Sequence, residues 1–266
     1  MPAIDLTRLK TQAESLADRF DQPDEFIRLL HETLDSYTNR TIRVSQKTLR
    51  TSLPSYETPR PVLRQIEIVL SPQASSCPAE AVKLAEALWG TRYYEVRLLA
   101  ANLMGKIPPE SALSLYSKLP DWMSQANDRD IQQALLTDAL TNLRRYNLDA
   151  FLALLESWLK DSHHKTQTWG LQALMPLLQS VDFENLPGVF RILRPAIENA
   201  SPATQIDIQS CLIALEEVSL VETAHYLQEI IASDPNPQAL RTLRRILPSL
   251  SPTMQAEIRD TLRAAL

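Results

Sequence analysis

Glycine is nearly missing from this chain: there are four in 266 residues, Gly90, Gly105, Gly170 and Gly188, never closer together than 15 positions. A dinucleotide fingerprint, a P-loop and a nucleophile elbow each need several glycines within a few residues, because the backbone there turns tightly or approaches a phosphate. All three are excluded, and no nucleotide or other cofactor is expected. An all-β fold is disfavoured for the same reason, since its tight turns require positive φ. Cysteine is equally scarce. Cys77 and Cys211 form no C-x-x-C, so neither a disulfide framework nor a cysteine zinc site is indicated. The histidines, His31, His163, His164 and His225, lack H-E-x-x-H spacing, and no metal is expected. No serine or cysteine stands beside a recognisable base, which leaves no candidate nucleophile. No apolar run approaches the roughly 18 residues that span a bilayer, and Asp5 and Arg8 distinguish the opening segment from a targeting peptide. The expectation is a soluble, cytoplasmic protein without membrane association. Its formal net charge of −5 offers no whole-molecule attraction to nucleic acid.

Eighteen prolines take over the punctuation, and between them the apolar residues recur at three- and four-residue spacing. Strict alternation is nowhere sustained, so the class is all-α. Ser201-Pro202, Asn236-Pro237 and Ser251-Pro252 each place a capping side chain before a proline of preset φ, which marks helix starts. Two helices, about 5–20 and 23–38, lead into a polar stretch over 39–58 that carries Arg40, Arg43, Lys47 and Arg50. Residues 1–58 read as an N-terminal helical cap and lead-in, and 59–266 as the main body.

That body contains an internal repeat. Amphipathic helices begin at Tyr93, Asp128, His163, Pro202 and Asn236, at separations of 35, 35, 39 and 34 residues. Each follows another amphipathic helix after a short break. Such a pair cannot bury its apolar face alone, so neighbours must stack, giving a helical-repeat solenoid, an α-α superhelix. Trp89, Trp122 and Trp158 close the preceding helix in three consecutive units and read as core residues sealing the contact between repeats. Arg97 is expected to make a polar contact between repeats. Cys211 lies in an apolar stripe and reads as core, whereas Cys77 sits in an exposed break.

Two stretches carry a family resemblance. Thr58-Pro59-Arg60-Pro61-Val62-Leu63-Arg64-Gln65-Ile66 and Ala87-Leu88-Trp89-Gly90-Thr91-Arg92-Tyr93-Tyr94-Glu95-Val96-Arg97-Leu98-Leu99-Ala100 are similar to the bacterial AlkD-type DNA alkylation repair family. Ser157-Trp158-Leu159 and the helix after it add a weaker match. The resemblance implies a curved solenoid of HEAT-like repeats that binds duplex DNA on its concave face and excises cationic alkylpurines. A lesion that is already charged needs little acid catalysis. What remains is a carboxylate to stabilise the sugar cation, an aromatic wall, and an arginine on the backbone. Anchoring Ile131 on Val96 puts Asp128 at the family's aromatic position, Gln132 at its carboxylate and Thr168, beside Trp169, at its arginine. Glutamine cannot stabilise a cation as a carboxylate does, and threonine cannot grip a phosphate bidentately. A shift of register puts Asp128 or Asp130 in the carboxylate role without restoring the aromatic wall. Both aspartates otherwise read as exposed carboxylates at the positive end of a helix dipole.

Basic residues cluster at Arg144 and Arg145, at His163, His164 and Lys165, at Arg191 and Arg194, and at Arg241, Arg244 and Arg245. Residues 241–266 hold five arginines against two acids, while 181–240 hold two against nine. This segregation lets the concave face be cationic in an acidic protein. Solvated helix faces with carbonyl-capping arginines fit the same pattern. The leading expectation is a protein related to DNA alkylation repair that binds duplex DNA, its glycosylase activity lost or altered. The competing expectation is a HEAT-repeat scaffold that binds a protein partner and performs no chemistry.

Overall fold

The computed structural model describes residues 5–38, 51–181, 183–232 and 236–264, and every regular element in them is a helix. Arg40, Arg43, Lys47 and Arg50 lie outside the described residues. The chain divides into two compact units, Met1–Asn147 and Leu148–Leu266.

The first unit opens with α1 (Leu6–Ala17) and α2 (Pro23–Ser36). Asp5 starts α1 by accepting the amides of Thr7 and Arg8, satisfying two of the donors a helix leaves orphaned. An extended segment over 51–59 leads into α3 (Arg60–Ser76), α4 (Pro78–Gly90), α5 (Tyr94–Met104), α6 (Leu113–Gln125), α7 (Arg129–Thr137) and α8 (Thr141–Tyr146). The second unit holds α9 (Leu148–Leu159), α10 (His164–Leu178), α11 (Leu186–Glu198), α12 (Gln205–Val218), α13 (Leu220–Ala232), α14 (Pro237–Ile246) and α15 (Pro252–Ala264), with a 3-10 turn over Leu247–Ser249.

Four of the five expected repeat starts are N-caps: Tyr93 of α5, Asp128 of α7, His163 of α10 and Asn236 of α14. The fifth differs. Ser201 Oγ accepts the Thr204 amide in a turn, and α12 begins only at Gln205. Bonds between residues about one period apart show how repeats stack. Trp89 reaches Gln125, Tyr94 reaches Asp130 and Asn142 reaches the Ile107 carbonyl in the first unit; Gln172–Asp207 and Arg194–Glu229 do the same in the second.

A second regularity lies inside each repeat. At positions spaced by 35, Arg97 Nε donates to Thr91 O (3.2 Å), Gln132 Nε2 to Ala126 O (2.6 Å) and Gln167 Nε2 to Asp161 O (2.8 Å). Each clasps the turn before its own helix, satisfying a carbonyl that the preceding helix end leaves free. Arg97 therefore bonds within its repeat, contrary to the expected contact between repeats. The inter-repeat seal is aromatic: the rings of Trp89 and Trp122 stack 4.5 Å apart at 4°, with the Arg97 guanidinium 4.6 Å from the Trp89 centroid. Trp89, Trp122 and Trp158 are all buried, as their periodicity implies.

Prolines do more than punctuate. Pro72, Pro120, Pro176 and Pro195 sit inside α3, α6, α10 and α11, each within the last two turns. An internal proline costs about 3 kcal/mol. Burial of each helix's apolar face, at about 25 cal/mol per Å², offsets it. Gly105 has a different purpose: a Cβ there would lie 1.8 Å from the Asp138 carbonyl oxygen, so glycine lets the end of α5 meet the end of α7. Cys77 is exposed and Cys211 buried. Among the described residues, no helix is long and apolar enough to cross a membrane.

Candidate functional site

Of the three positions that the resemblance matches, Asp128 and Gln132 commit their side chains to hydrogen bonds within the fold. Asp128 is 6% exposed and does not cap α7 with its side chain. Its carboxylate turns to the 51–59 segment, where Oδ1 accepts the Ser52 amide (2.9 Å) and Oδ2 the Ser52 hydroxyl (3.2 Å). The expectation of an exposed helix-start carboxylate fails for Asp128, because the segment packed over it supplies better donors than solvent does. Asp130 is exposed as expected and accepts the Tyr94 hydroxyl at 2.8 Å. Gln132 commits its amide to Ala126. Thr168 is half-buried in α10 beside buried Trp169, over whose ring Lys165 Nζ lies at 5.5 Å.

Two contributors escaped the sequence reading. Tyr94, from the preceding repeat, brings an aromatic ring to Asp130, a pairing visible in the sequence only as two residues one period apart. Burial first, and then the bond to Asp130, raises the Tyr94 phenol well above its ordinary pKa. Glu95, 2% exposed, accepts from Ser55 Oγ (2.7 Å) and from the amides of Tyr56 (3.2 Å) and Thr58 (3.3 Å). Glu95 and Asp128 thus pin the 51–59 segment against two successive repeats. His31 completes the anchorage through Tyr56, whose hydroxyl lies 2.7 Å from its Nδ1 and whose ring stacks on Tyr93.

The basic residues divide by what they touch. Arg144 is half-buried and donates to the Thr137 carbonyl, and burial lowers its pKa. Arg194 pairs with Glu198 (2.9 Å) and Glu229 (3.4 Å). His163 pairs with Asp161, and His164 lies beside Gln167. Arg145 is exposed over Tyr146. Arg191, Arg241 and Arg244 are exposed and form no ion pair among the described residues. Arg245 donates to the neutral Gln205 side chain at 2.6 Å. In the second unit, α11, which carries Arg191, packs against α14, which carries the other three.

The first unit also contains a groove of about 1160 Å³ between α3, α5, α7 and the 51–59 segment. Tyr94 and Asp130 line it together with Arg60 and Arg64, so aromatic, carboxylate and guanidinium groups face one groove.

A comparison with curated proteins finds no match. A comparison with family models does: the model of the DNA alkylation repair enzyme family aligns with residues 30–242, well over half of the chain. That span takes in both architectural stretches, the Glu95–Arg97 pair and the anchored 51–59 segment. The chain belongs to the DNA alkylation repair enzyme family.

Proposed function

We propose that the protein binds duplex DNA in alkylation repair, using the concave face that the resemblance implies and setting arginines of α11 and α14 on the phosphates. The observation that carries this reading is a set of exposed arginines, Arg191, Arg241 and Arg244, that form no ion pair among the described residues and lie on adjoining helices of a repair-family member. Arg245 and Lys165, in the same unit, add to the set, since their present contacts are neutral; Arg145, in the first unit, likewise faces only a tyrosine ring. Arg144 and Arg194 contribute least, one holding a carbonyl and the other two glutamates.

Excision by the family's matched residues is lost or altered in this reading. The amide at the carboxylate position already clasps a turn, and neither Gln132 nor Thr168 carries charge. Duplex binding should fall steeply with salt. Replacing Arg241, Arg244 and Arg245 with alanine should reduce the log–log salt slope by about one for each phosphate contact removed. A scaffold for a protein partner predicts no duplex binding even at low salt, and that result would overturn the reading. Release of methylated purine from alkylated DNA would show that excision survives.

A further inference from the structure

The cationic set of the second unit has an apolar neighbour that phosphate binding does not use. Ile206, in the first turn of α12, is 74% exposed. The core stripe of that helix is Ile208, Cys211, Leu212 and Leu215, at i, i+3, i+4 and i+7 spacing. Ile206 stands two residues before Ile208, about 200° round the helix, and so points away from the core. A single exposed isoleucine is ordinary on a protein surface. The surroundings of this one are not.

Three side chains of α14 hold the turn that leads into Ile206. Asn236 Nδ2 donates to Glu198 O (3.0 Å), Gln238 Nε2 to Ala200 O (2.6 Å) and Arg245 Nη1 to Gln205 Oε1 (2.6 Å). Gln238, Arg241 and Arg245 follow one another at i, i+3 and i+7, so Arg241 shares the face of α14 that meets this turn. Ser201 and Thr204 lock the turn by exchanging amide-to-hydroxyl bonds of 3.0 and 3.3 Å, and Pro202 and Ala203 at its tip are exposed. The acids beside it in sequence are engaged elsewhere: Asp207 accepts Gln172 of α10, and Glu198 accepts Arg194. A firmly held apolar knob therefore stands next to exposed guanidinium groups.

We propose that Ile206 is a wedge that enters a base step of the bound duplex while Arg241, Arg244 and Arg245 hold the flanking phosphates. The inference rests on the duplex-binding reading and adds a residue to it. An apolar side chain gains nothing from phosphates. It gains by leaving water for the faces of two bases, at the cost of unstacking them. Adjacent cations offset that cost, because they hold the backbone that the wedge has bent. A β-branched side chain on a locked turn suits the task, since it has little freedom left to lose. The step most readily entered is one already weakened, as beside a mismatched or damaged pair. Ile206 thus gives the protein a preference for distorted duplex. The arginines alone cannot supply it, since phosphate contacts position a protein without reading the bases.

Two short duplexes test this, one fully paired and one with a central mismatch, each carrying 2-aminopurine beside the central pair. At low salt the full chain should bind the mismatched duplex about tenfold tighter, because part of the unstacking cost is already met. The 2-aminopurine fluorescence should rise on binding as that base unstacks. Ile206→Ala should lose both effects, and Ile206→Leu should keep them. Ile206→Ala should leave the salt slope on the paired duplex unchanged, since an apolar contact releases no counterions. Its thermal midpoint should match that of the wild type, because the side chain is exposed. A fluorescence rise that persists in Ile206→Ala, or a wild type indifferent to the mismatch, would overturn the wedge and leave duplex binding standing. Failure to bind either duplex would overturn both readings. Binding to phosphatidylserine vesicles that depends on Ile206, with no fluorescence change on DNA, would assign the knob to a membrane surface and refute the proposal.

Discussion

Gln132 donates its side-chain amide to the carbonyl of Ala126 at 2.6 Å, six residues back along the chain. Arg97 and Gln167, one period before and after, do the same to Thr91 and Asp161. The position that the family resemblance matches to a carboxylate is thus used here for a clasp that requires a donor. Gln132→Glu sets a charged acceptor against a carbonyl and should destabilise the protein by about 1–3 kcal/mol. Gln132→Ala, which removes the donor without adding charge, should cost less. Urea midpoints at neutral pH measure both, and an equally stable Gln132→Glu protein would show that the clasp contributes nothing.

The two bonds from Ser52 to Asp128 make a more local prediction. Removing the carboxylate with Asp128→Ala leaves the Ser52 amide and hydroxyl without their acceptor. That should cost about 1–3 kcal/mol and accelerate hydrogen exchange of the Ser52 amide. Asp128→Asn retains an acceptor oxygen and should fall between Ala and wild type. Unchanged exchange at Ser52 in Asp128→Ala would mean that the anchors at Glu95 and His31 hold the segment without Asp128.

Two glycines should respond in opposite directions. At Gly105 a Cβ would lie 1.8 Å from Asp138 O and 2.8 Å from its carbonyl carbon, both backbone atoms that no rotamer change can move. Gly105→Ala should cost about 3 kcal/mol or more, at or above the upper range for overpacking. At Gly90, the last residue of α4, an added methyl would meet nothing within 4 Å, and φ is not positive. Gly90→Ala should stabilise by about 0.4–1 kcal/mol through the unfolded chain's lost freedom. Thermal midpoints of the two variants decide the matter, and a stable Gly105→Ala would refute the close approach.

Much of the architecture was legible because it repeats. Tyr93, Asp128, His163 and Asn236 could be placed as helix starts because the period is local and written in residue type. The three tryptophans were legible as core for the same reason. Prolines were less informative: all eighteen read as punctuation, yet Pro72 and Pro195 are each carried inside a helix by tertiary packing that propensity does not see. The candidate site was harder still. Asp128 reads as a solvated helix-start acid until a segment 76 residues earlier covers it, and no spacing rule announces Ser52 as its donor. Tyr94 and Asp130 are separated by one period, but which of the many such pairs touch depends on helix rotation. The arginines show the same limit: Arg191 and Arg194 share a helix face by sequence, yet among the described residues only Arg194 forms ion pairs, with Glu198 and Glu229.

Glu67 and Asp138, which line the groove of the first unit, give a pH prediction with a definite sign. Glu67 is raised chiefly by burial and then by the charge of Asp138, against the charges of Lys106 and Arg64; Asp138 is raised by burial, against the Thr137 hydrogen bond and the charges of Lys106 and Arg144. A carboxyl whose pKa is higher in the folded state binds protons more tightly there than in the unfolded chain. Its effect is therefore to lower stability as pH rises from the ordinary carboxylate range through the raised values. Glu67→Gln and Asp138→Asn each remove an ionisation that burial opposes, so each should raise the urea midpoint at neutral pH. The gain over wild type should shrink as pH falls and the native carboxyls become protonated. Asp138→Asn should also bring the Glu67 pKa down toward its ordinary value, because the Asp138 charge that raises it is gone; the Glu67 carboxyl resonance followed by NMR would show this. Glu25, Glu156 and Asp161 shift the opposite way, but they lie at the surface, where solvent screens their pairs. Comparing each variant with wild type across pH cancels their contribution. A gain that grew toward acid pH would mean that the ionised carboxylates stabilise the fold where they sit.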